Sequence, residues 1–289
     1  MIAGGRRYVE YKSRSDVFTL WCLSDLHWGS RNCAADRVRE DLAAIADDPY
    51  ALWIGVGDYA DYIGFRDKRF DPDVAPADMK VRDLGRLGRL LTGQVRDLFM
   101  PIADKCVGLL SGNHEKAYER HNDQAGLHSW LCTELAVPDL GYCCFVDLTF
   151  IRKPRSSRPN VVLSDAKGKM GGDSRWRRRI FAHHGAGFAQ TPGGKLNRLI
   201  QFMDYFESDL TLCAHVHDVV AKRLTRLGVD DKCGHIIDRE QLGIVTGTYL
   251  LTYHEGPAGY GEQKGYRPSP LGAARVTLCP DHQTMYATI

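Results

Sequence analysis

Five short segments of the sequence carry residue types that bind metal ions, and each of them follows an apolar run. These segments are SDLH (24–27), VGDY (56–59), SGNHE (111–115), AHHG (182–185) and AHVH (214–217). The apolar runs favour β-strands, so we expect the polar residues at strand ends. Imidazole and carboxylate groups bind divalent transition metals directly. Buried without partners, the same groups would be destabilising, so their density favours metal binding over packing.

Each segment taken alone also has a structural interpretation. Asp25 and His27 could form a solvated turn, and Asn113 could cap the helix that follows it. His215 and His217 lie two positions apart in an apolar run, where one pair could simply pack. Because alternate residues of a strand share a face, we expect both imidazoles to point the same way. All five segments in one chain favour a shared metal site.

The elements that would position these residues alternate between strand and helix over much of the chain. We predict strands over 17–24, 51–58, 105–115, 175–187 and 208–218, and helices over 33–48, up to about 99, 123–136 and 193–206. This alternation indicates a mostly parallel sheet covered by helices, to which the C-terminal part adds antiparallel strands. Ligands gather beyond the carboxyl ends of strands in α/β sheets, so the five segments are expected to converge. The predicted fold is α/β, with two packed sheets flanked by helices.

Composition limits the class of protein. The chain has 289 residues, 44% hydrophobic and 26% charged, with a net charge of +2. We predict a single domain over 1–289 with a helical insertion at about 61–100. The small net charge gives no overall preference for nucleic acid or an anionic membrane. Without a secretory signal, an apolar span or a CxxC pair, the expectation is a cytoplasmic protein with reduced cysteines and no zinc knuckle.

The five segments together resemble the motifs of the calcineurin-like metallophosphoesterase superfamily: DxH, GD, GNH(D/E), H and GHxH. The resemblance covers about residues 17–220. It implies a two-sheet β-sandwich flanked by helices, with four layers in the order α/β/β/α, and a binuclear metal centre at the strand ends. GTYLLTY (247–253) and GYRPSPLG (265–272) further resemble bacteriophage and prophage members of the superfamily.

The resemblance also implies a ligand set in which Asp58 bridges two metals. The first metal would be held by Asp25, His27, Asp58 and His217, and the second by Asp58, Asn113, His184 and His215. Two positions depart from the family pattern. Ala214 stands where the last motif normally begins with glycine, and AHHG offers two adjacent histidines for one ligand position. Alignment on Gly185 favours His184, whereas alignment on other relatives favours His183.

The activity implied by the resemblance is hydrolysis of phosphodiester bonds, with a metal-bridging hydroxide as the nucleophile. His114 would face the leaving oxygen and donate a proton, with Asp25 helping to orient it. The mixed nitrogen and oxygen ligands suit manganese, zinc or iron better than calcium. Manganese is the expected ion, with nickel and magnesium as further alternatives.

The substrate is the least determined part of the prediction. Arg69 in DKRFD (67–71) and Arg175 in RWRRR (175–179) are the predicted substrate contacts, and RKPRSSR (152–158) is a third basic segment. Such residues grip phosphates, which favours DNA, RNA or a nucleotide as the phosphate ester. The same segments could also be solvated surface. A phosphomonoesterase or phosphoprotein phosphatase is the alternative function, and a non-catalytic scaffold is a third. No membrane partner is expected, and no pattern indicates an oligomeric state.

Overall fold

The computed structural model describes residues 1–70, 79–122, 125–155, 161–165, 175–187, 189–230, 233–255 and 260–288. Its strands are β1 (Ile2–Tyr11), β2 (Phe18–Leu23), β3 (Ala51–Gly55), β4 (Cys106–Leu109), β5 (Cys143–Arg152), β6 (Val162–Ser164), β7 (Arg175–His183), β8 (Leu210–Cys213), β9 (Val219–Val229), β10 (Ile236–Thr248), β11 (Gly272–Cys279) and β12 (Thr284–Thr288). Its α-helices are α1 (Ala35–Asp47), α2 (Leu87–Phe99), α3 (Asn113–His121), α4 (Leu127–Glu134), α5 (Pro192–Tyr205) and α6 (Tyr260–Gln263), and 3₁₀ helices span Val81–Arg86 and Met100–Lys105.

The strands form one hydrogen-bonded sheet that has two segments. The β2 segment runs in the order β4-β3-β2-β11, with β12 on β11, and the β8 segment runs β6-β1-β5-β7-β8-β10, with β9 on β10. A ladder of only two residue pairs between β10 and β11 joins them. β2, β3 and β4 are parallel, and so are β7 and β8. In each parallel group the carboxyl ends of the strands therefore lie at the same edge.

The two segments share the largest apolar core of the described residues. Leu20 and Ile54 from the β2 segment and Val146 and Ile180 from the β8 segment belong to one buried cluster. Full burial of each such side chain contributes about 1.5–3 kcal/mol. The prediction of a mixed α/β fold, with helices around a large sheet, is confirmed. The division into two stacked sheets stays a prediction, because β10 and β11 connect all the strands into one sheet.

Helices cover both segments on the sides away from that core. Ile45 of α1, Val95 of α2 and Leu131 of α4 belong to a second buried apolar cluster, which also contains Trp53 of β3. α5 packs on the β8 segment, where its apolar side chains meet β8 and β10. No helix within the described ranges is long and apolar enough to cross a bilayer.

Several boundaries differ from those that the sequence predicts. The strand predicted over 105–115 ends at Leu109, and α3 begins at Asn113. The strand predicted over 208–218 ends at Cys213. β1 was not predicted, because its first half, IAGGRR, lacks apolar alternation. In the predicted insertion at 61–100, helix begins only at Val81, and residues 71–78 lie outside the described residues.

Candidate metal centre

Five strands deliver the predicted ligands to one place. β2 leads to Asp25 and His27, β3 to Asp58, β4 to Asn113, β7 to His184, and β8 to His215 and His217. Their ligand atoms form two groups, Asp25–His27–His217 and Asp58–His184–His215, and within each group all atoms lie within 4.8 Å of one another. The predicted convergence of residues separated by nearly two hundred positions is therefore present in the structure.

The first group is formed by Asp25, His27 and His217. His217 Nε2 lies 3.1 Å from Asp25 Oδ1, and His27 Nε2 lies 3.9 Å from the same oxygen. The two imidazole Nε2 atoms are 3.3 Å apart. Asp25 and His27 are buried, while His217 is partly exposed. Three donor atoms thus face a common point at the boundary between interior and solvent.

The second group is centred on His184. Its Nε2 lies 3.3 Å from Asp58 Oδ2 and 2.9 Å from Asn113 Oδ1. Its Nδ1 donates to the main-chain oxygen of Val56 at 2.7 Å, which orients the ring and directs Nε2 at the carboxylate. His215 completes the group. Asp58 also clusters with His27, so its carboxylate lies between the two groups, where a bridging ligand would be required.

The two adjacent histidines of AHHG have different surroundings. The ring of His183 stacks on Phe202, with centroids 4.6 Å apart. Its Nδ1 accepts the backbone N–H of Gly185 at 2.7 Å. Burial lowers the pKa of His183 to about 4, so this ring is neutral at ordinary pH. Of the two, His184 is the one whose ring lies against Asp58 and Asn113.

The backbone of the last motif is not the extended strand that the sequence predicts. His215 and His217 follow the end of β8 and have φ values of 72° and 48°. The prediction that both residues lie in the strand is therefore wrong, and strand alternation does not determine where their rings point. Each ring reaches a different group because the chain turns between them. Ala214 has no positive φ, so a methyl group in place of the family's glycine adds no backbone strain there.

A left-handed backbone is a shared property of the site. Asp25, His27, Asp58, His215 and His217 all have positive φ, and only three other non-glycine residues of the described chain do. Such conformations cost about 1–3 kcal/mol each in bulky residues and persist where the surrounding structure imposes them. The surrounding hydrogen bonds do so here: Asp25 N donates to Gly57 O at 3.0 Å, and His27 N donates to Asp58 O at 3.2 Å.

The electrostatics of the site fit divalent cations. Burial raises the pKa of Asp25, but the neighbouring His217 and His184 lower it by more, so the net shift of this pKa is downward. Burial likewise acts against ionisation of Asp58, yet His184 and His114 bring its pKa well below the ordinary value. Both carboxylates are therefore anionic and buried. Within the described residues Asp25 Oδ1 accepts no hydrogen bond of normal geometry, although His217 Nε2 lies 3.1 Å away. Two carboxylates, four imidazoles and an amide oxygen suit manganese, zinc or iron.

His114 and Arg69 lie beside the two groups without belonging to the predicted ligands. The backbone N–H of His114 donates to Asp58 Oδ1 at 2.8 Å. Its Nδ1 bonds the main-chain oxygen of Asp61. Its Nε2 lies 3.2 Å from Arg69 Nη1, and Asp67 fixes that guanidinium through a contact of 2.8 Å. The structure thus brings Arg69 to the site, as the sequence predicts for a substrate contact.

A cavity of about 1090 Å³ opens over the site. Its basic lining residues are Arg66, Lys68, Arg69, Lys195, Lys264 and Arg267, and its acidic ones are Asp58, Asp61 and Asp67. All three acids face histidine or arginine side chains, and Lys195 also pairs with Asp218. Basic residues still outnumber acidic ones in the lining, which favours an anionic occupant. The volume lies at the upper end of the range for small-molecule sites.

Arg175 and the described residues of the two other basic segments do not line this cavity. Arg175 is exposed at the start of β7, eight residues before His183. At about 3.3 Å per residue, that distance is about 26 Å along the strand. Its predicted contact with a substrate at the metal centre therefore has no support in the structure. In RKPRSSR (152–158), residues 156–158 lie outside the described residues.

Two acidic residues that the sequence interpretation did not assign also support the site. Glu115 is buried and accepts backbone N–H groups of Gly112 at 3.0 Å, Asp58 at 3.2 Å and Tyr59 at 2.8 Å. It thereby holds the turn that carries Asp58. Asp61 Oδ1 lies 3.4 Å from His27 Nδ1. The signal for Glu115 was its position in the first turn of α3, where acidic side chains accept backbone N–H groups.

Comparisons with known proteins add little to this geometry. No family model matches the chain, and no curated protein matches it. Among solved structures, a similar one is the crystal structure of a conserved uncharacterized protein, described as a predicted phosphoesterase, from Streptococcus pneumoniae TIGR4. It is 13% identical, with a TM-score of 0.32, over 91% of this chain and 84% of that one. A likeness this weak leaves the function of the chain to be inferred from its own residues.

Proposed function

We propose that this protein is a phosphodiesterase with a binuclear metal centre, of the calcineurin-like metallophosphoesterase type. The observation that carries the proposal is the convergence of seven potential ligands, Asp25, His27, Asp58, Asn113, His184, His215 and His217, in two groups around Asp58. Packing alone gives no reason for two buried carboxylates and four imidazoles at a cavity wall. When bound, two divalent ions at such a centre supply Lewis-acid activation of a phosphate ester and of the attacking water.

Protein groups would carry the other steps. His114 lines the cavity beside the ligands, and its Nδ1 contact to Asp61 holds Nε2 toward the space that a substrate would enter. Nδ1 faces the Asp61 carbonyl and Arg69 can only donate to Nε2, so Nε2 would give a proton to the leaving oxygen once Arg69 has moved to the phosphate and Nε2 has taken up a proton. The guanidinium of Arg69 lies next to Nε2 and can bind the non-bridging oxygens of the phosphate. Asp25 keeps its place through the backbone N–H of His215, at 3.1 Å.

The cavity favours a diester over a small monoester. A volume of about 1090 Å³ is much larger than a phosphate group requires. Basic residues enter its lining from three separate parts of the chain: 66–69, Lys195 and 264–267. A diester has a substituent on each side of phosphorus, and nucleic acid or a nucleotide would present further negative charge to these residues. We therefore propose nucleic acid or nucleotides as the substrate class.

The remaining proposals concern family and fold. We propose that the β2 and β8 segments are the two layers of a sandwich in a single domain, which is supported by their shared core and by helices on both outer sides. Membership of a phage or prophage branch and a cytoplasmic location stay predictions. Manganese is the first ion to test, because the donor set fits it and sequence does not distinguish it from zinc or iron.

A comparison of two chromogenic substrates tests the proposed function. Protein stripped of metal and reconstituted with manganese should hydrolyse bis-p-nitrophenyl phosphate faster than p-nitrophenyl phosphate. Faster hydrolysis of the monoester would favour the phosphomonoesterase instead. The absence of turnover with manganese, zinc, iron, nickel and magnesium would refute an enzymatic function and favour a scaffold.

Two carboxylates provide a matched pair for this assay. Asp58→Asn should lose bound metal and turnover together, because the substitution removes the anion shared by both groups. Asp147→Asn is the control, since Asp147 is also buried but contacts Arg179 in β5–β7 and does not line the cavity. Equal losses in both variants would indicate general destabilisation and count against a metal role for Asp58.

A further inference from the structure

A second cluster of metal-binding residue types lies outside the proposed catalytic centre. His128, Cys132 and Asp139 place one donor atom each within 4.8 Å of one another. His128 and Cys132 are one turn apart on α4, so both project from the same face of the helix. Both are buried, while the side chain of Asp139 is 35% exposed. The cluster therefore has an apolar interior side and a route to solvent.

The measured separations fit a tetrahedral zinc ion. His128 Nε2 lies 3.2 Å from Asp139 Oδ1 and 3.6 Å from Cys132 Sγ. Zinc bonds are about 2.0–2.1 Å to nitrogen or oxygen and about 2.3 Å to sulfur, which gives tetrahedral edges of about 3.3–3.4 Å for N···O and about 3.5–3.6 Å for N···S. Both separations agree with these edges to within about 0.2 Å.

Hydrogen bonding explains the same arrangement less completely. The Nε2 atom of His128 can make one hydrogen bond in the plane of the ring. Both Asp139 Oδ1 and Cys132 Sγ nevertheless approach this atom. If Nε2–H donates to the carboxylate, it cannot also accept from the thiol. A cation at the centre would satisfy all three groups at once. Ser129 Oγ and the Gly141 N–H donate to the Asp139 carboxylate at 3.0 Å and 2.9 Å, which fixes it as outer partners fix metal-binding carboxylates.

We propose that His128, Cys132 and Asp139 form a zinc site, with the fourth position open to water. The thiolate ligand favours zinc over magnesium or manganese, and the mixed sulfur, nitrogen and oxygen set is one that zinc accepts. The spacing of cysteines along the sequence predicts no zinc knuckle. That spacing does not reveal this site, because the site uses a single cysteine together with residues from two elements.

The position of the site gives it a structural role. The ion would join α4 to the loop that contains Asp139, and this loop is bonded to the end of β4 through Leu140 N–H to Leu109 O at 2.8 Å. β4 leads into α3, which begins with Asn113 and His114. The ring of His128 also lies parallel to that of Tyr59, next to Asp58. The zinc site would thus brace the wall behind the proposed catalytic centre.

Cobalt substitution tests this site separately from the catalytic one. Cobalt added to the metal-free full-length protein should give a thiolate-to-cobalt charge-transfer band in the near ultraviolet, and zinc should remove it. None of the proposed catalytic ligands is a cysteine, so the band cannot come from the catalytic centre. It should persist in Asp58→Asn, which makes failure of the proposed function distinguishable from failure of this proposal.

Cysteine variants identify the thiolate. The band should vanish in Cys132→Ser and remain in Cys279→Ser, a half-buried cysteine at the end of β11. A second variant covers the case in which Cys132→Ser fails to fold. Asp139→Asn, at a partly exposed position, should weaken cobalt binding about tenfold or more, since even outer partners contribute about that much. A missing band in the wild type, a band that survives Cys132→Ser, or unchanged affinity in Asp139→Asn would overturn the proposal.

Discussion

Substitution of His184 should weaken metal binding, whereas substitution of the adjacent His183 should leave it unchanged. His184→Gln removes a ring whose Nε2 lies 3.3 Å from Asp58 Oδ2 and 2.9 Å from Asn113 Oδ1. Removal of one partner of a buried ion pair costs about 3–5 kcal/mol. We therefore expect the free energy of unfolding of metal-free His184→Gln to be about 3 kcal/mol lower than that of the wild type. His183→Gln loses a stacking contact with Phe202, worth about 0.5–1.5 kcal/mol, and leaves the ligand groups unchanged.

The assay combines metal content, turnover and unfolding. After dialysis against manganese, elemental analysis should find two ions at the catalytic centre of His183→Gln and fewer in His184→Gln. Turnover of bis-p-nitrophenyl phosphate should fall at least about 10²-fold in His184→Gln only, as for loss of one transition-state contact. Urea denaturation in the presence of chelator gives the stability difference. If His183→Gln loses metal and turnover while His184→Gln keeps both, the assignment of His184 is wrong.

Three further predictions follow from the same geometry. Arg69→Ala should lower kcat for the diester by about 10²–10³-fold, because it removes a positively charged donor beside His114. Gly112→Ala should destabilise the protein by about 1–3 kcal/mol and weaken metal binding, because the added Cβ would overlap the carboxylate and backbone nitrogen of Asp58. Although burial lowers it, the negative charge of Asp58 raises the pKa of His184 from 6.5 to about 10. The stability that this ion pair gives the metal-free protein should be present below about pH 6.5 and decline towards pH 10. Since metal must displace the proton, apparent metal affinity, measured by calorimetric titration, should rise over the same range.

Matched variants separate these effects from general damage. Arg66→Ala also removes a basic residue of the cavity lining, and it should change kcat only a few-fold because no contact with His114 is lost. Gly93→Ala adds a Cβ into open space on α2 and should not destabilise the protein in urea. The prediction for Arg69 would be contradicted if both arginine variants lost the same kcat. The prediction for Gly112 would be contradicted if both glycine variants lost the same stability. A metal affinity that does not change with pH would contradict the prediction for His184.

The residue types and their order in the chain were sufficient to predict much of the site. Apolar runs followed by Asp, Asn or His are local features, and strand periodicity places the polar residues at strand ends. That reasoning anticipated β2, β3 and β7 closely, and also the convergence of Asp25, Asp58 and His184. Burial and alternation are properties of short segments, so a single sequence reveals them.

Tertiary structure decided the features that depend on contacts between distant segments. Which of His183 and His184 faces Asp58 follows from how the chain leaves β7 and where α5 packs. Arg69 reaches the cavity while Arg175 does not, although both lie in basic stretches of sequence.

The sequence alone also did not predict the left-handed backbone of the site or the contacts between residues that are distant in the chain. His215 and His217 both have a left-handed backbone, and although histidine adopts it more often than most residues, the preference is too weak to predict it at these two positions. The cluster of His128, Cys132 and Asp139 depends on a helix and a loop that meet only after folding. The sequence by itself determined which donor groups this protein possesses and that they follow strands. Only the packed sheet determined which donors meet, because side-chain separations of about 3 Å depend on strand order and register across the whole chain.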